Sequence, residues 1–148
     1  MLKQKSLCKL PLTCFLLLQG FAAPRRSPSL KTINLVTIGC GQVPIIISAP
    51  HGGREAIPEV PERKGKGVKH FKKTRDVNTD KLAEKLADSL ERYLKRRPYV
   101  VIARFHRKYL DANRREQEAY ESEGAKLYYD TYHKALAEAC REIISQWG

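Results

Sequence analysis

The chain has 148 residues, and its 28 lysines and arginines outnumber its 16 acidic residues, which gives a formal net charge of +12. This length allows one domain of ordinary size and argues against two full domains. Four cysteines without a CxxC or CxxH pair do not suggest a zinc finger, and no apolar run reaches the roughly 18 residues that a membrane-spanning helix needs.

The first residues have the composition of a signal peptide. Three lysines precede an apolar block, Leu10 to Ala23, and small residues allow cleavage after Ala22. The alternative is a frayed N-terminal extension. We predict a signal peptide over residues 1–22 with export to the periplasm or cell exterior, and a cytoplasmic location if no such signal operates. The Pro- and Ser-rich residues 23–32 are predicted to form a linker.

Two strands and a loop are predicted next. Ile33 to Ile38 would form a short strand, and the β-branched run 43–48 has the continuous apolar pattern of a strand buried on both faces. This second strand leads directly into Pro50-His51-Gly52-Gly53. Residues 56–75 contain several prolines and glycines and are predicted to be a loop.

A helix, a strand and a second helix complete the predicted order. Asn78 or Thr79 can cap the first helix, and Pro98 stops it. Its apolar positions recur every fourth residue and are expected to face the core: Leu82, Leu86, Leu90 and Leu94. Residues 99–103 form a second buried strand. The apolar face of the last helix is expected to consist of Tyr129, Tyr132, Leu136, Cys140 and Ile143. This alternation predicts an α/β fold with a mainly parallel or mixed sheet.

Polar segments follow two of the predicted strands. SAPHGGRE follows the first, and RFHRKYLDANR follows the second. In open α/β sheets, ligands bind beyond the carboxyl ends of the strands, and parallel strands present these ends at one edge. The sequence therefore predicts a functional site where the two segments meet. Whether Cys40 and Cys140 form a disulfide is left open.

The first polar segment offers candidate metal ligands. The imidazole of His51 and the carboxylate of Glu55 are suitable for zinc, and the two glycines after the histidine let the backbone bring both to one ion. The alternative is a Gly-Gly turn beside an exposed histidine.

The second polar segment offers groups for binding a carboxylate. The planar guanidinium group of an arginine can donate two hydrogen bonds to one carboxylate, and Asn113 can add a neutral hydrogen bond. Asp111 can orient an arginine, or it can accept a hydrogen bond from the ring nitrogen of a ligand histidine that is not bound to the metal. A charge run of this kind is also common in solvated loops. Asp76, before the first helix, can pair with an arginine of the site, whereas His133 on the last helix has the position of a hydrogen-bonded core residue.

Four segments together resemble the N-formylglutamate amidohydrolase family: SAPHGGRE, RDVNTD, RFHRKYLDANR and YHKAL, over residues 43–140. The resemblance implies a three-layer phosphorylase/hydrolase-like fold related to zinc carboxypeptidases. It also implies a zinc-dependent hydrolase that removes a formyl or similar acyl group from a glutamate-like amino acid or short peptide. The implied metal ligands are His51 and Glu55. Asp76 and His133 are the only in-chain candidates for a third ligand. The Asn113-Arg114 pair is similar to the pair by which zinc carboxypeptidases hold a substrate's terminal carboxylate. The residues predicted to act in catalysis are Arg104 and Asp111, and Arg75 and Arg107 are predicted to bind the substrate together with Asn113 and Arg114.

The sequence departs from the family pattern in one respect. In the family a further strand ends in Asp-x-His, whose histidine would be the third zinc ligand, but this chain stops at Gly148. We therefore expect residues 33–148 to be the N-terminal part of an amidohydrolase domain with negligible activity on N-formylglutamate. Two alternatives stay open, namely a non-catalytic remnant and a basic protein that binds anions or nucleic acid. Only the net charge supports binding of anions or nucleic acid, so we expect a small-molecule partner rather than nucleic acid.

Overall fold

The structure, a computed structural model, describes residues 30–148. The predicted signal peptide over residues 1–22 lies outside the described residues, as does most of the predicted linker over 23–32. The last two residues of that linker, Lys31 and Thr32, belong to the first strand. Export and cellular location therefore stay predictions.

The first two strands form a hairpin. β1 (Lys31–Ile33) pairs antiparallel with β2 (Val36–Gly39), and Asn34 and Leu35 connect them. Both connecting residues have positive φ, of 45° and 54°, which is the conformation of a two-residue type I′ turn. The prediction of a single strand over Ile33–Ile38 is therefore wrong, because the turn lies inside that run.

The sheet has four strands in the order β1-β2-β4-β3 and is mixed. β3 (Ile46–Ala49) and β4 (Tyr99–Ala103) are parallel, so their carboxyl ends meet at one edge, as the sequence predicted. β4 is central and buried at all five residues. β3 is an edge strand among the described residues, and its Ser48 is exposed, so the prediction that both of its faces are buried is wrong.

Three helices accompany the sheet: α1 (Thr79–Leu94), α2 (Glu116–Ala119) and α3 (Lys126–Trp147). Val100 and Ile102 pack in the same core cluster as residues of α1, whereas Val101 and Ala103 pack in the cluster of α3. Because alternate residues of a strand point to opposite faces, α1 and α3 lie on opposite sides of the sheet. No helix in residues 30–148 is both long enough and apolar enough to span a membrane.

The side of α1 that faces the sheet is made of small residues. Ala83 and Ala87 are buried, and Leu90 is partly buried against the same cluster. Leu82 and Leu86 are 64% and 47% exposed, so the prediction that the leucine stripe faces the core is wrong for them. The alanines are the buried contact of α1, and the exposed leucines line a cavity beside the sheet.

α3 packs through Tyr132, Ala135 and Ala139, which are buried. Cys140 is exposed and carries a free thiol, so it does not pair with Cys40. The expectation that Cys140 belongs to the apolar face is wrong as well, because the buried stripe passes through the neighbouring alanine. Residues 56–75 contain no helix or strand longer than an isolated bridge, as predicted.

Candidate functional site

The side chain of His51 lies between two carboxylates. Its Nε2 is 2.7 Å from Oδ1 of Asp111, and its Nδ1 is 3.3 Å from Oδ2 of Asp76. His51 and Asp111 are buried, whereas the Asp76 side chain is 54% exposed. The three residues follow β3, precede α1 and follow β4, respectively. The parallel pairing of β3 and β4 therefore brings together groups that are distant in the sequence.

The two glycines after His51 let the chain pass between α1 and β4. A Cβ atom on Gly52 would lie 2.3 Å from the backbone nitrogen of Asp80, and one on Gly53 would lie 2.3 Å from the carbonyl group of Arg104. Neither glycine has positive φ. Close packing is therefore the physical reason for the Gly-Gly pair, a reason that the sequence analysis did not anticipate.

Asp111 is surrounded by positively charged groups. Nε and Nη2 of Arg107 each lie 2.8 Å from its Oδ2, Nε of Arg114 lies at 3.5 Å, and Nη2 of Arg63 lies at 3.9 Å. Burial by itself raises the pKa of Asp111, but the hydrogen bonds from His51 and Arg107 outweigh it and hold that pKa well below its ordinary value. An ionised Asp111 accepts the Nε2 hydrogen of His51, so Nδ1 is the ring nitrogen that faces Asp76.

Arg63 is a buried member of the site that the sequence analysis missed. Only 2% of it is exposed, and its Nη2 donates to the carbonyl oxygens of Lys72 and Arg107. Its Nε and Nη1 have no hydrogen-bond partner among the described residues, and burial lowers its pKa. Arg63 therefore joins the loop over residues 56–75 to the segment after β4. In the sequence it looks like any other member of a solvated basic run.

Asn113 and Arg114 follow Asp111 directly. The backbone N–H of Asn113 donates to Oδ1 of Asp111, and Asn113 also lines the cavity beside His51. The guanidinium of Arg114 contacts Oε2 of Glu118 at 3.0 Å and donates to the carbonyl oxygen of His70 at 2.8 Å. Arg114 thus lies next to Asp111 with its terminal nitrogens bonded to the protein.

Among the described residues, the polar contacts of Arg104 and Arg75 are with groups other than Asp111. Nε of Arg104 donates to Oγ1 of Thr37 at 2.7 Å, and its terminal nitrogens contact Asp80 and Glu84 of α1. Arg104 therefore ties β2 and α1 to the end of β4. Nη1 of Arg75 donates to the carbonyl oxygen of Gly52 at 3.3 Å, which places this arginine beside the glycine pair.

Glu55 extends the pairing of β3 with β4 beyond His51. Its backbone N–H donates to the carbonyl oxygen of Arg104, and its own carbonyl oxygen accepts from the N–H of His106, both at 2.8 Å. The residue is exposed, and no polar contact of its carboxylate occurs within residues 30–148. The backbone of Glu55 is therefore fixed while its carboxylate is free to bind a ligand.

His133 is a half-buried residue of α3. Its Nε2 donates to the carbonyl oxygen of Ala112 at 3.1 Å, and its ring centroid lies 4.2 Å from that of Tyr129. The hydroxyl of Tyr129 donates to the carbonyl oxygen of Arg114. These two side chains therefore hold the segment that carries Asp111 against α3.

A cavity of about 400 Å³ opens beside His51 between β3 and α1. Its lining consists of Ile47, Ser48, Ala49, Pro50, His51, Asp76, Thr79, Leu82, Ala83, Leu86 and Asn113. Three of the polar residues described above, His51, Asp76 and Asn113, thus line a largely apolar space. This volume lies within the range of about 300–1,000 Å³ that is usual for ligand sites.

The donors around His51 fit a zinc ion in part. Nδ1 of His51 and the carboxylate of Asp76 approach one another, and both are ligand types that zinc accepts. No group of three or more His, Cys, Asp or Glu side chains within residues 30–148 is arranged to hold a metal. These residues therefore supply two donors and not the usual three.

A model of one protein family matches residues 43–125, and its description is N-formylglutamate amidohydrolase. The match covers more than half of the chain and extends from just before β3 to just before α3. It includes His51, Asp76, Asp111 and the Asn113-Arg114 pair. No curated protein and no solved structure gave a match.

Proposed function

Because the chain belongs to the N-formylglutamate amidohydrolase family, we propose that it is a zinc-dependent hydrolase of the amide bond in an N-acyl, glutamate-like amino acid or short peptide. The buried hydrogen bond between Asp111 and His51 is the observation that carries this proposal. A carboxylate behind a histidine fixes its tautomer and aims its other ring nitrogen, as in many metal sites.

The proposed zinc ligands are His51, through Nδ1, and Glu55, whose carboxylate is exposed. Asp76 is the in-chain substitute for a third ligand, because its carboxylate already lies 3.3 Å from Nδ1 of His51. His133 is a weaker substitute, since its Nε2 is used in holding Ala112. A bound zinc ion would supply a Lewis acid for the amide carbonyl and would lower the pKa of a bound water.

The remaining residues have roles that do not depend on the ion. Asp111 orients His51, and Arg107 keeps Asp111 ionised through a two-nitrogen contact. Arg114 is proposed to hold the substrate carboxylate by exchanging its contact with Glu118 for one with the substrate, because both partners offer the same oxygen pair. Arg104 is proposed to act by positioning α1, since its contacts are with Asp80, Glu84 and Thr37 rather than with His51 or Asp111.

Binding and hydrolysis of N-formyl-L-glutamate by the full chain test this proposal. With added zinc we expect calorimetric binding of N-formyl-L-glutamate. Formate release should be only slightly above background and abolished by a chelator, because residues 30–148 supply two zinc ligands and not three. The His51→Ala variant gives the background rate. Absence of zinc binding together with formate release no faster than in His51→Ala would identify a non-catalytic remnant instead.

The role of Arg114 has a matched control in the neighbouring Arg115, which is exposed. Arg114→Ala should weaken binding of N-formylglutamate about tenfold or more, the cost of losing a charge-assisted hydrogen bond. Arg115→Ala should change it little. Binding of the neutral diamide of the same compound should be nearly equal in all three proteins, and an equal loss for acid and diamide in Arg114→Ala would contradict the role.

A further inference from the structure

The cavity beside His51 has two exposed leucines in its wall. Leu82 and Leu86 of α1 lie in its lining, opposite Ile47 and Ala49 of β3. They are 64% and 47% exposed, and neither belongs to a core cluster of the protein. These leucines contribute little to the core, so packing within residues 30–148 does not explain why they are apolar. Exposed apolar surface of this kind is typical of a ligand-binding site.

The apolar part of the cavity leads away from the polar part. Thr79, the first residue of α1, lies in the lining together with Asp76 and His51, whereas Leu86 lies two turns further along the helix. At a rise of 1.5 Å per residue, the apolar wall extends about 10 Å from the polar end. The space is therefore elongated and begins at the proposed reaction site.

The size and charge of the cavity indicate what it binds. A formyl group has two heavy atoms and fills about the volume of one or two water molecules, at roughly 30 Å³ each, so it leaves most of the cavity empty. The described lining contains no lysine or arginine and does contain the carboxylate of Asp76. The carboxylates of a glutamate-like substrate are therefore disfavoured in this space, whereas an apolar acyl chain is favoured.

We infer that this cavity is an acyl subsite in which Leu82 and Leu86 determine specificity. The substrate would be a glutamate-like amino acid that carries an aliphatic acyl chain of several carbons instead of a formyl group. The inference rests on the proposed function, because the amide bond must lie at His51 for the chain to enter the cavity. The carboxylate end would then lie outside, towards Arg114.

A series of N-acyl-L-glutamates with acetyl, butanoyl and hexanoyl groups tests the subsite. Binding to the full chain is measured by calorimetry, and hydrolysis is followed with added zinc. We expect affinity to rise about two- to fourfold for each added methylene, which is the usual gain for burying a methylene. Leu86→Ala should remove most of this dependence. Leu94→Ala is the matched control, because Leu94 is on the same helix, is 37% exposed and lies outside the cavity.

The outcomes separate the subsite from the proposed function. Equal affinity for all three acyl groups, or an unchanged dependence in both Leu86→Ala and Leu82→Ala, would overturn the subsite. Hydrolysis of N-formyl-L-glutamate together with no preference for longer acyl chains would overturn the subsite while leaving the proposed function intact. Chain-length-dependent binding without hydrolysis at saturating zinc would support the subsite and contradict the proposed function. Leu82→Ala serves as the second variant should Leu86→Ala fail to fold.

Discussion

Two charged clusters that follow β4 have opposite compositions. In the first, the guanidinium of Arg104 contacts the carboxylates of Asp80 and Glu84 and the hydroxyl of Thr37. In the second, the carboxylate of Asp111 contacts one histidine and the guanidinium groups of three arginines. One guanidinium group faces two carboxylates in the first cluster, whereas one carboxylate faces three guanidinium groups in the second.

This difference separates a structural charge network from one that is suited to a ligand. The Arg104 cluster joins β2, β4 and α1, and the protein supplies its acceptors. The Asp111 cluster leaves Nε and Nη1 of Arg63 without hydrogen-bond partners among residues 30–148, and it holds His51 through Nε2 while Nδ1 faces the half-exposed carboxylate of Asp76. Both clusters arise from a single charged run in the sequence, so residue type alone does not indicate which arginine has which role.

Replacing the carboxylate of Asp111 should have the largest effect. Asp111→Asn leaves buried arginines without their common counter-charge, and we expect the free energy of unfolding to fall by about 3–5 kcal/mol, measured by urea denaturation. Asp88→Asn is the control, because Asp88 is half-exposed and its partner Arg97 keeps a shorter contact with Glu91. Its effect should stay below about 1 kcal/mol. A similar loss in both variants would mean that the Asp111 cluster is an ordinary surface network.

The contribution of the Asp111 carboxylate to stability should decrease at low pH. The pKa of Asp111 is lowered in the folded protein, whereas in the unfolded chain it is about 3.9. Its contribution to stability is therefore complete above the unfolded pKa and is lost as the pH falls through and below that value. We expect the stability difference between the wild type and Asp111→Asn to shrink as the pH is lowered from about 5 to 3. A difference that stays constant over this range would contradict the lowered pKa.

The glycine pair that separates the two clusters gives the next largest effect. A methyl group on Gly53 would collide with the carbonyl groups of Arg104 and Phe105, so Gly53→Ala should cost about 1–3 kcal/mol in urea denaturation. Gly67→Ala meets no neighbour and carries only the penalty of a positive φ, which is about 1 kcal/mol. If Gly53→Ala is the milder variant, close packing is not the reason for the Gly-Gly pair.

Lysine substitutions should distinguish the clusters by function. Arg104→Lys loses the bond to Thr37 and the fork towards α1, and we expect a loss of about 1–2 kcal/mol in stability with little change in the affinity for N-acylglutamate. Arg107→Lys loosens Asp111 and should lower that affinity. Titration calorimetry on both variants measures this contrast. Equal losses of affinity for N-acylglutamate would mean that both clusters contribute to the binding site.

The smallest effect is expected at His133. His133→Phe keeps the ring contact with Tyr129 and removes one hydrogen bond to Ala112, so stability should fall by about 1 kcal/mol. Zinc affinity, followed by a chromogenic chelator competition, should not change. A large loss of zinc affinity would show that His133 is a ligand.

The fold was predictable from the sequence where local patterns decide the structure. The bounds of β4 and the start of α1 were confirmed, because a β-branched run and Pro98 act locally, although Asn78 makes no side-chain capping bond. The β1–β2 hairpin was missed because Asn34-Leu35 is not a usual turn pair for two residues of positive φ. The buried face of α1 was also missed, since periodicity favours leucines and only the tertiary structure brings Ala83 and Ala87 to the sheet.

The candidate site was predictable in its residues and not in their contacts. His51 and Asp111 were both selected from the sequence, but their hydrogen bond depends on the register of β3 against β4. The burial of Arg63 depends on a loop that folds over the same region. Such contacts are set by tertiary packing, which a single sequence does not display.

The His51–Asp111 hydrogen bond joins residues 60 positions apart, and this separation has a consequence for the order of folding events. Helix α1 and the β1–β2 hairpin involve neighbouring residues and can form within microseconds, whereas closing the loop between β3 and β4 carries a larger entropy cost. A refolding chain with most of its secondary structure would therefore still lack a binding site. Pulse-labelled hydrogen exchange at the amide of Asp111, which donates to Ala119, should show protection only in the slowest phase.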